Sequence, residues 1–257
     1  MATVLPVTGI RAPSARLCGT EGRGGVVTIL SRPSPNCGPR RGGARPDLVV
    51  IHYTAMGTAA AALDRLCDPA AEVSAHYLIC AQGQVWQLVD EAQRAWHAGA
   101  GRWGDVTDVN SRSIGIELAN RGDHPFAAAQ MDALEALLAR IMARWAIPPE
   151  RVIGHSDMAP LRKSDPGSRF DWRRLARRGL SVWPDPAAAP TAGDFLDDAA
   201  QAGFHPPEGC ADPEAAVLTA LRLRFRPQAA GALDAVDRAI MADLARRFPV
   251  DRARATA

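Results

Sequence analysis

Short apolar runs separated by polar stretches predict a β-sheet in the first half of the chain. LVVIHYT at 48–54 is rich in β-branched residues and ends in polar ones, the pattern of a buried strand that reaches a functional edge. The apolar runs at 73–80 and 84–89 flank a turn that contains Gly83, and this pattern predicts a β-hairpin. SIGIELAN at 113–120 is a further strand.

Helical periodicity lies between and after these strands. From 127 to 145, apolar side chains recur at steps of three and four residues, which predicts one amphipathic helix packed on the sheet. Thr58 is placed to cap a short helix, AAAALDRL, and RVIGHSD at 151–157 enters another edge of the sheet. The pattern predicts an α/β (α+β) fold with a mixed central β-sheet flanked by helices.

Proline and glycine divide the chain into segments. The first 45 or so residues are rich in Gly, Pro, Arg and Ser, and WPDPAAAPTAG at 183–193 has the composition of a linker. Three helical patterns follow it. We therefore predict a poorly ordered N-terminal arm at 1–32, a main domain at 33–184, a linker at 185–193 and a small all-α domain of three helices at 194–257.

Composition excludes several classes of function. The 257 residues include 30 basic and 28 acidic side chains, and a net charge of +2 does not produce the cationic field of a non-specific nucleic-acid binder. No apolar stretch approaches the length of a membrane span. The sequence therefore predicts neither a nucleic-acid partner nor a transmembrane segment.

Cysteine usage and the N-terminus bear on location. The five cysteines are odd in number and form no C-x-x-C pair, which argues against a disulfide framework and a cysteine zinc knuckle. Pro6, Gly9 and Arg11 interrupt the N-terminal apolar run, so it lacks the core of a signal peptide. We expect a cytoplasmic protein, with a periplasmic location as the alternative.

Two of the six histidines and one aspartate form a possible metal site. His52 and His155 stand at the ends of strand-like segments, and Asp165 follows His155 by ten residues in a Pro-Gly loop. Two imidazoles and a carboxylate are a ligand set that zinc hydrolases use, with the fourth position left for water. Spacing alone leaves open the alternative that these are hydrogen-bonded structural histidines.

Six motifs occur in one order over roughly 130 residues: LVVIHYTAM, SAHYLICAQGQVWQLVDE, RAWHAGAGRW, SIGIELAN, VIGHSDMAP and RKSDPG. Together they resemble the N-acetylmuramoyl-L-alanine amidase family 2, whose fold is shared with the peptidoglycan recognition proteins. The resemblance covers about 33–183. The C-terminal helices resemble, more distantly, the peptidoglycan-binding-like domain of some members, which favours the periplasm.

The resemblance assigns roles to the site residues. It implies that His52, His155 and Asp165 hold one zinc ion, that Glu117 orients or deprotonates the attacking water, and that Lys163 stabilises the oxyanion of the scissile carbonyl. The apolar alternation along 113–118 puts Glu117 on the face opposite the apolar side chains. That placement excludes a core position for Glu117 but leaves open an outward-facing, solvated carboxylate.

The resemblance also implies a substrate groove. Its expected lining residues are His97, Asn120, Trp96 and Tyr53, and Trp103 is a further aromatic candidate. Each of them has an alternative structural role. Tyr53 is the weakest of these candidates, because it follows His52 directly on a strand and its side chain is expected to point to the other face.

The implied reaction is hydrolysis of the amide between (anhydro-)N-acetylmuramic acid and L-alanine of the stem peptide, in cell-wall turnover or recycling. The expected partners are peptidoglycan or soluble anhydromuropeptide, and a monomer is expected. The alternative is a recognition module that binds muropeptide without cutting it. A metalloprotease is disfavoured because the chain has no H-E-x-x-H helix.

Overall fold

The computed structural model describes residues 28–188 and 193–251. Eight strands and eight α-helices form within these ranges. The strands are β1 Ile29–Ser31, β2 Cys37–Pro39, β3 Leu48–Tyr53, β4 Tyr77–Ile79, β5 Val85–Gln87, β6 Gln93–Ala95, β7 Ser113–Leu118 and β8 Val152–Gly154. The helices are α1 Ala59–Cys67, α2 Val109–Arg112, α3 Ala128–Trp145, α4 His155–Met158, α5 Trp172–Arg177, α6 Phe195–Ala202, α7 Pro213–Phe225 and α8 Ala235–Arg247.

Six of the strands form the central sheet in the order β1-β5-β4-β7-β3-β8. Only β4 and β5 run antiparallel, as a hairpin, and the other neighbouring strands are parallel. β2 and β6 form a separate antiparallel pair. The mixed sheet with flanking helices confirms the predicted fold class.

The elements predicted from periodicity form where expected. The Thr58 hydroxyl accepts a hydrogen bond from the Ala61 amide at 3.1 Å and caps α1. The hairpin, the strand that carries His52 and the helix before Trp145 are also present. Gly83 lies in the hairpin turn at φ 82°, with its amide bonded to the Cys80 carbonyl, so glycine supplies the left-handed backbone there.

The prediction of an arm through residue 32 is wrong at its C-terminal end. Ile29–Ser31 pairs with β5 and forms an edge strand of the central sheet, and Cys37–Pro39 forms the second sheet with β6. These strands are three residues each and contain proline or polar side chains, so their own periodicity is too short to reveal them. The rest of the predicted arm, 1–27, lies outside the described residues.

The two faces of the central sheet are covered differently. On one face, Ile114, Ile116 and Leu118 of β7 pack under α3 in a large apolar cluster. On the other face, Leu48 and Val50 of β3 belong to a cluster formed mostly by the C-terminal helices. A smaller cluster joins α1 to the end of the sheet that carries the hairpin.

The C-terminal helices therefore share a hydrophobic core with the sheet. Phe195 of α6 and Leu221 of α7 are buried in the same cluster as Val50 and Ile153. The Trp103 ring of the main domain and the Phe204 ring of the C-terminal segment meet edge to face, with centroids 4.9 Å apart. Three helices follow residue 193 as predicted, but they are not buried independently of the main domain. The limits of the predicted linker at 185–193 stay a prediction, since 189–192 lie outside the described residues.

Among the described residues, no helix has the length and apolar character needed to cross a bilayer. The four cysteines in this part of the chain are free thiols. Cys18 lies outside the described residues.

A shared core predicts cooperative unfolding of sheet and helices. Phe195→Ala should lower the free energy of unfolding by about 3–5 kcal/mol, because it removes a buried aromatic ring and leaves a cavity. Val236→Ala on α8 is the control, since Val236 is 45% exposed and should change stability by less than about 0.5 kcal/mol. Urea titration followed by tryptophan fluorescence and by circular dichroism measures both. Two separate transitions in the Phe195→Ala variant would contradict the shared core.

Candidate metal centre and active site

Three parallel strands place their carboxyl ends at one edge of the sheet. β3 lies between β7 and β8, and it is parallel to both. His52 is near the end of β3, and His155 directly follows β8. Glu117 of β7 is the register partner of His52, and its side chain leaves the sheet on the same face. Open parallel sheets bind ligands at this edge.

The loop after α4 brings Asp165 back to this edge. The Ser156 amide donates to the Asp165 carbonyl at 2.9 Å, and the Lys163 amide donates to the Ala159 carbonyl at 3.0 Å. These bonds close the loop between His155 and Asp165. The ten residues from His155 to Asp165 therefore form a compact loop that returns Asp165 to the side of His155.

The three predicted ligands form a triangle of donor atoms. His52 Nδ1 lies 3.0 Å from His155 Nδ1 and 2.8 Å from Asp165 Oδ2, and His155 Nδ1 lies 3.1 Å from the same oxygen. All three residues are buried. Asp165, the most exposed of the three, is only 8% exposed.

His155 has a fixed tautomer. Its Nε2 lies 2.8 Å from the Ala98 carbonyl, which can only accept, so this nitrogen carries the proton. The Arg162 guanidinium donates to the same carbonyl at 2.7 Å. In the neutral ring, Nδ1 then presents a lone pair to the centre of the triangle.

His52 is held by a relay of hydrogen bonds through His97. The Ser113 hydroxyl donates to the Val109 carbonyl at 2.6 Å, so its oxygen accepts from His97 Nε2 at 3.1 Å. His97 Nδ1 then accepts from His52 Nε2 at 3.0 Å. Because the Nε2 of His52 carries the proton, its Nδ1 lone pair also faces the triangle. His97 is thereby placed behind a ligand, and its predicted contact with substrate is untested.

Gly115 provides the room for the His97 ring. A Cβ at this position would lie 2.4 Å from His97 Cγ, closer than real side chains approach. Gly115 is the register partner of Val50, one pleat before the His52–Glu117 pair. A glycine within a strand marks such a close approach, and this signal in SIGIEL was available from the sequence.

Burial favours the neutral forms of His52 and His97. Burial and the neighbouring His155 ring lower the pKa of His52 to about 4. Burial also lowers the pKa of His97, with the His52 ring contributing. The Nδ1 atoms of His52 and His155 and the Asp165 carboxylate oxygen converge within 3.1 Å. A cation at the centre would offset the mutual repulsion of these atoms, so the donor set fits a divalent metal ion.

Glu117 is a carboxyl group in an unusual environment. Its Oε2 atom is buried and has no hydrogen-bond partner within the described residues. Burial and, to a smaller extent, the charge of Asp165 raise the pKa of Glu117 to about 8, and the charge of Lys163 opposes both effects. Glu117 is half-buried and faces the ligands, so it is not the solvated strand carboxylate of the alternative interpretation.

Comparison with known proteins identifies the family. A family model described as N-acetylmuramoyl-L-alanine amidase matches residues 42–168. The N-acetylmuramoyl-L-alanine amidase AmiD of Escherichia coli (strain K12) is 36% identical over 237 residues, covering 80% of this chain and 85% of AmiD. This chain belongs to the N-acetylmuramoyl-L-alanine amidase family. The resemblance inferred from the six motifs is confirmed, and the protein is a hydrolase.

Solved structures of relatives extend the match beyond the family segment. The complex of E. coli AmiD with anhydro-N-acetylmuramic acid-L-Ala-D-gamma-Glu-L-Lys aligns with a TM-score of 0.71, covering 84% of this chain and 93% of that chain at 36% identity. AMPDH3 from Pseudomonas aeruginosa, in complex with anhydromuramic pentapeptide, aligns with a TM-score of 0.72 at 33% identity, covering 81% of this chain and 94% of that chain.

Lys163 of the amidase lies on the exposed loop just before Asp165. It is close enough to act electrostatically on both Glu117 and His52. Lys163 is also the only lysine among the 30 basic residues, the other 29 being arginine. An isolated lysine in an arginine-rich chain is a sequence feature that gives a reason to look for a function at that position.

The Tyr53 side chain contacts the loop that carries Asp165. Its hydroxyl is 3.0 Å from the Ser164 hydroxyl, and a Cβ at Gly122 would meet its ring at 2.8 Å. These contacts favour support of the loop over contact with substrate.

The remaining groove candidates are placed differently from one another. The Asn120 amide is used inside its own loop, accepting from the Gly122 amide at 2.7 Å and donating to the His124 carbonyl at 3.4 Å. Trp103 is 2% exposed and belongs to the core shared with the helices, so it does not line a groove. Trp96 is half-buried, and its contact with substrate stays a prediction.

Gly115→Ala should weaken metal binding without unfolding the amidase. The added Cβ displaces the His97 ring and breaks its bond to His52, and loss of such an outer partner costs about 10- to 100-fold in metal affinity. Gly38→Ala is the matched strand control, since nothing lies within 4 Å of its added Cβ. Competition with a chromophoric chelator measures both affinities. Equal affinities in the two variants would exclude this role for the relay.

Proposed function

We propose that this amidase is zinc-dependent and hydrolyses the amide between anhydro-N-acetylmuramic acid and L-alanine of the stem peptide. The observation that carries the proposal is the placement of Glu117 opposite His52 in register, beside the three converging ligand atoms. The AmiD and AMPDH3 complexes with anhydromuramic ligands support the substrate class. Cell-wall recycling is the corresponding role.

His52, His155 and Asp165 would hold the zinc ion. Two neutral imidazoles and one carboxylate are typical of catalytic zinc, which keeps a further position open. The ion supplies a Lewis acid that polarises the scissile carbonyl and acidifies water. The Ala98 carbonyl and the His97 side chain orient the two imidazoles.

Glu117 acts as the general base. Its carboxylate takes a proton from the attacking water and returns it to the departing amine of L-alanine. Burial and the charge of Asp165 raise its pKa to about 8. A metal ion bound beside it would favour the carboxylate form, which accepts the proton. Its strand position holds the accepting oxygen rigidly, and Oε2 has no competing partner within the described residues.

Lys163 stabilises the negative charge that develops on the carbonyl oxygen. Its ammonium is on an exposed loop and forms no ion pair with any residue of the described part of the chain, so it can turn to the substrate. A cation directed at a developing oxyanion stabilises the transition state more than the bound substrate, and so it lowers the barrier.

The alternative function is a recognition module that binds muropeptide without cleavage. The complete ligand set and the half-buried carboxyl of Glu117 favour catalysis, because a binding module needs neither. The cytoplasm is the proposed compartment and the periplasm its alternative. Soluble anhydromuropeptide and intact sacculi, assayed side by side by mass spectrometry of the products, separate recycling from turnover of the wall.

Glu117→Gln should abolish turnover and retain the metal. The amide keeps the shape of the side chain but cannot accept the proton, so kcat should fall by about 100-fold or more. Metal content is measured by atomic emission and turnover by product chromatography. Glu208→Gln, at an exposed position of the helical segment, is the control. Full activity in Glu117→Gln, or activity that survives removal of the metal by a chelator, would refute the mechanism.

Lys163→Ala should lower kcat by roughly 100- to 1000-fold with a smaller change in KM, since the interaction forms in the transition state. Arg169→Ala is the control, an exposed cation six residues further along the same loop. Steady-state kinetics on anhydromuropeptide distinguish the two variants. A change in KM alone would instead make Lys163 a substrate-binding residue.

A further inference from the structure

α7 carries two buried arginines that point to different partners. Arg222 is 8% exposed and donates to Asp237 of α8 at 2.6 Å, so its ion pair stays within the helical segment. Arg224 is 4% exposed and donates to Asp157 of α4 at 2.5 Å. The second ion pair therefore joins the C-terminal segment to the short helix that begins with the metal ligand His155.

The hydrogen bonds of the Arg224 side chain all go to residues that precede the C-terminal helices. Its other terminal nitrogen donates to the Val152 carbonyl at 3.2 Å and to the Ser181 hydroxyl at 2.9 Å. The guanidinium carbon lies 4.1 Å from the centroid of the Trp172 ring. One guanidinium thus contacts β8, α4, α5 and the segment that precedes the linker.

Asp157 transmits this contact to the start of α4. It is fully buried, and its Oδ2 accepts the Gly154 amide at 2.8 Å as well as the Arg224 bond. Gly154 is the residue before His155. Its hydrogen bond to Asp157 therefore fixes the backbone at the point where β8 ends and His155 begins. Within the described residues, Arg224 is the only cation paired with Asp157.

A buried carboxylate without its cation is unstable in that position. Removing Arg224 leaves the buried Asp157 carboxylate without its partner on α7, so the side chain turns toward water. Because the same Asp157 oxygen accepts from the Gly154 amide, this movement weakens that bond as well. The backbone of His155, whose Nδ1 must stay within about 3 Å of two other ligand atoms, is then no longer fixed.

We infer that Arg224 is a positioning residue for the metal site, acting through Asp157 on His155. The C-terminal helical segment then helps to position a metal ligand of this amidase, in addition to covering one face of the sheet. The inference rests on the proposed function only in requiring that His52, His155 and Asp165 bind a metal.

The test compares Arg224→Met with Arg222→Met in the full chain. Both variants replace a buried guanidinium on α7 with an apolar side chain, and both should lower the thermal midpoint. Arg224→Met should also weaken zinc affinity by about 10- to 100-fold in chelator competition, as loss of an outer-shell contact does. Arg222→Met should leave the affinity within about twofold of the parent, because its partners lie away from the site.

A conservative pair keeps the test decisive if Arg224→Met does not fold. Arg224→Lys retains the charge but not the planar fork, so it should fold and lose less zinc affinity than Arg224→Met, whereas Arg222→Lys should lose none. The absorption bands of bound Co²⁺ give a second readout, and they should change in the Arg224 variants alone.

The outcomes separate this inference from the proposed function. A parent protein that binds no zinc would refute the proposed function. A parent that binds zinc, with equal affinities and Co²⁺ spectra in the Arg224 and Arg222 variants, would refute the inference and leave the proposed function standing.

Discussion

Parallel pairing of β3 with β7 and β8 is the constraint on which the site depends. It brings His52, Glu117 and His155, which are 65 and 38 residues apart along the chain, to the same sheet edge at the carboxyl ends of the strands. His52, Glu117 and His155 converge because each stands at or next to the end of its strand. A one-residue slip of β7 would turn Glu117 to the apolar face under α3, so the register also determines the chemistry.

The second level of organisation is the choice of tautomer for His52 and His155, which the hydrogen-bond acceptors at their Nε2 atoms determine. Ala98 accepts from His155, and the His97–Ser113 relay accepts from His52, so both Nδ1 lone pairs face Asp165. Converging lone pairs repel one another in the absence of a cation. The fold holds them there because the opposing side chains are buried and hydrogen-bonded, and the free energy of folding supports a preorganised metal site.

The C-terminal helices add a third level. They cover one sheet face with apolar side chains, and through Arg224 they place a charge against α4. Apolar packing alone lacks direction, whereas the guanidinium fork bonds to specific atoms at specific angles. This distinction separates a helical segment that stabilises the amidase from one that also orients a ligand.

The sequence by itself determined the strand and helix pattern, the family and the choice of three candidate metal ligands, because periodicity and ordered motifs are local properties of the chain. It also placed Glu117 opposite the apolar face of its strand. It did not reveal the edge strand at Ile29–Ser31, which is too short for periodicity to detect. Only the tertiary structure decided that His97 lies behind His52, that Trp103 is core and that Arg224 meets Asp157 across 67 residues, since these contacts depend on packing between distant segments.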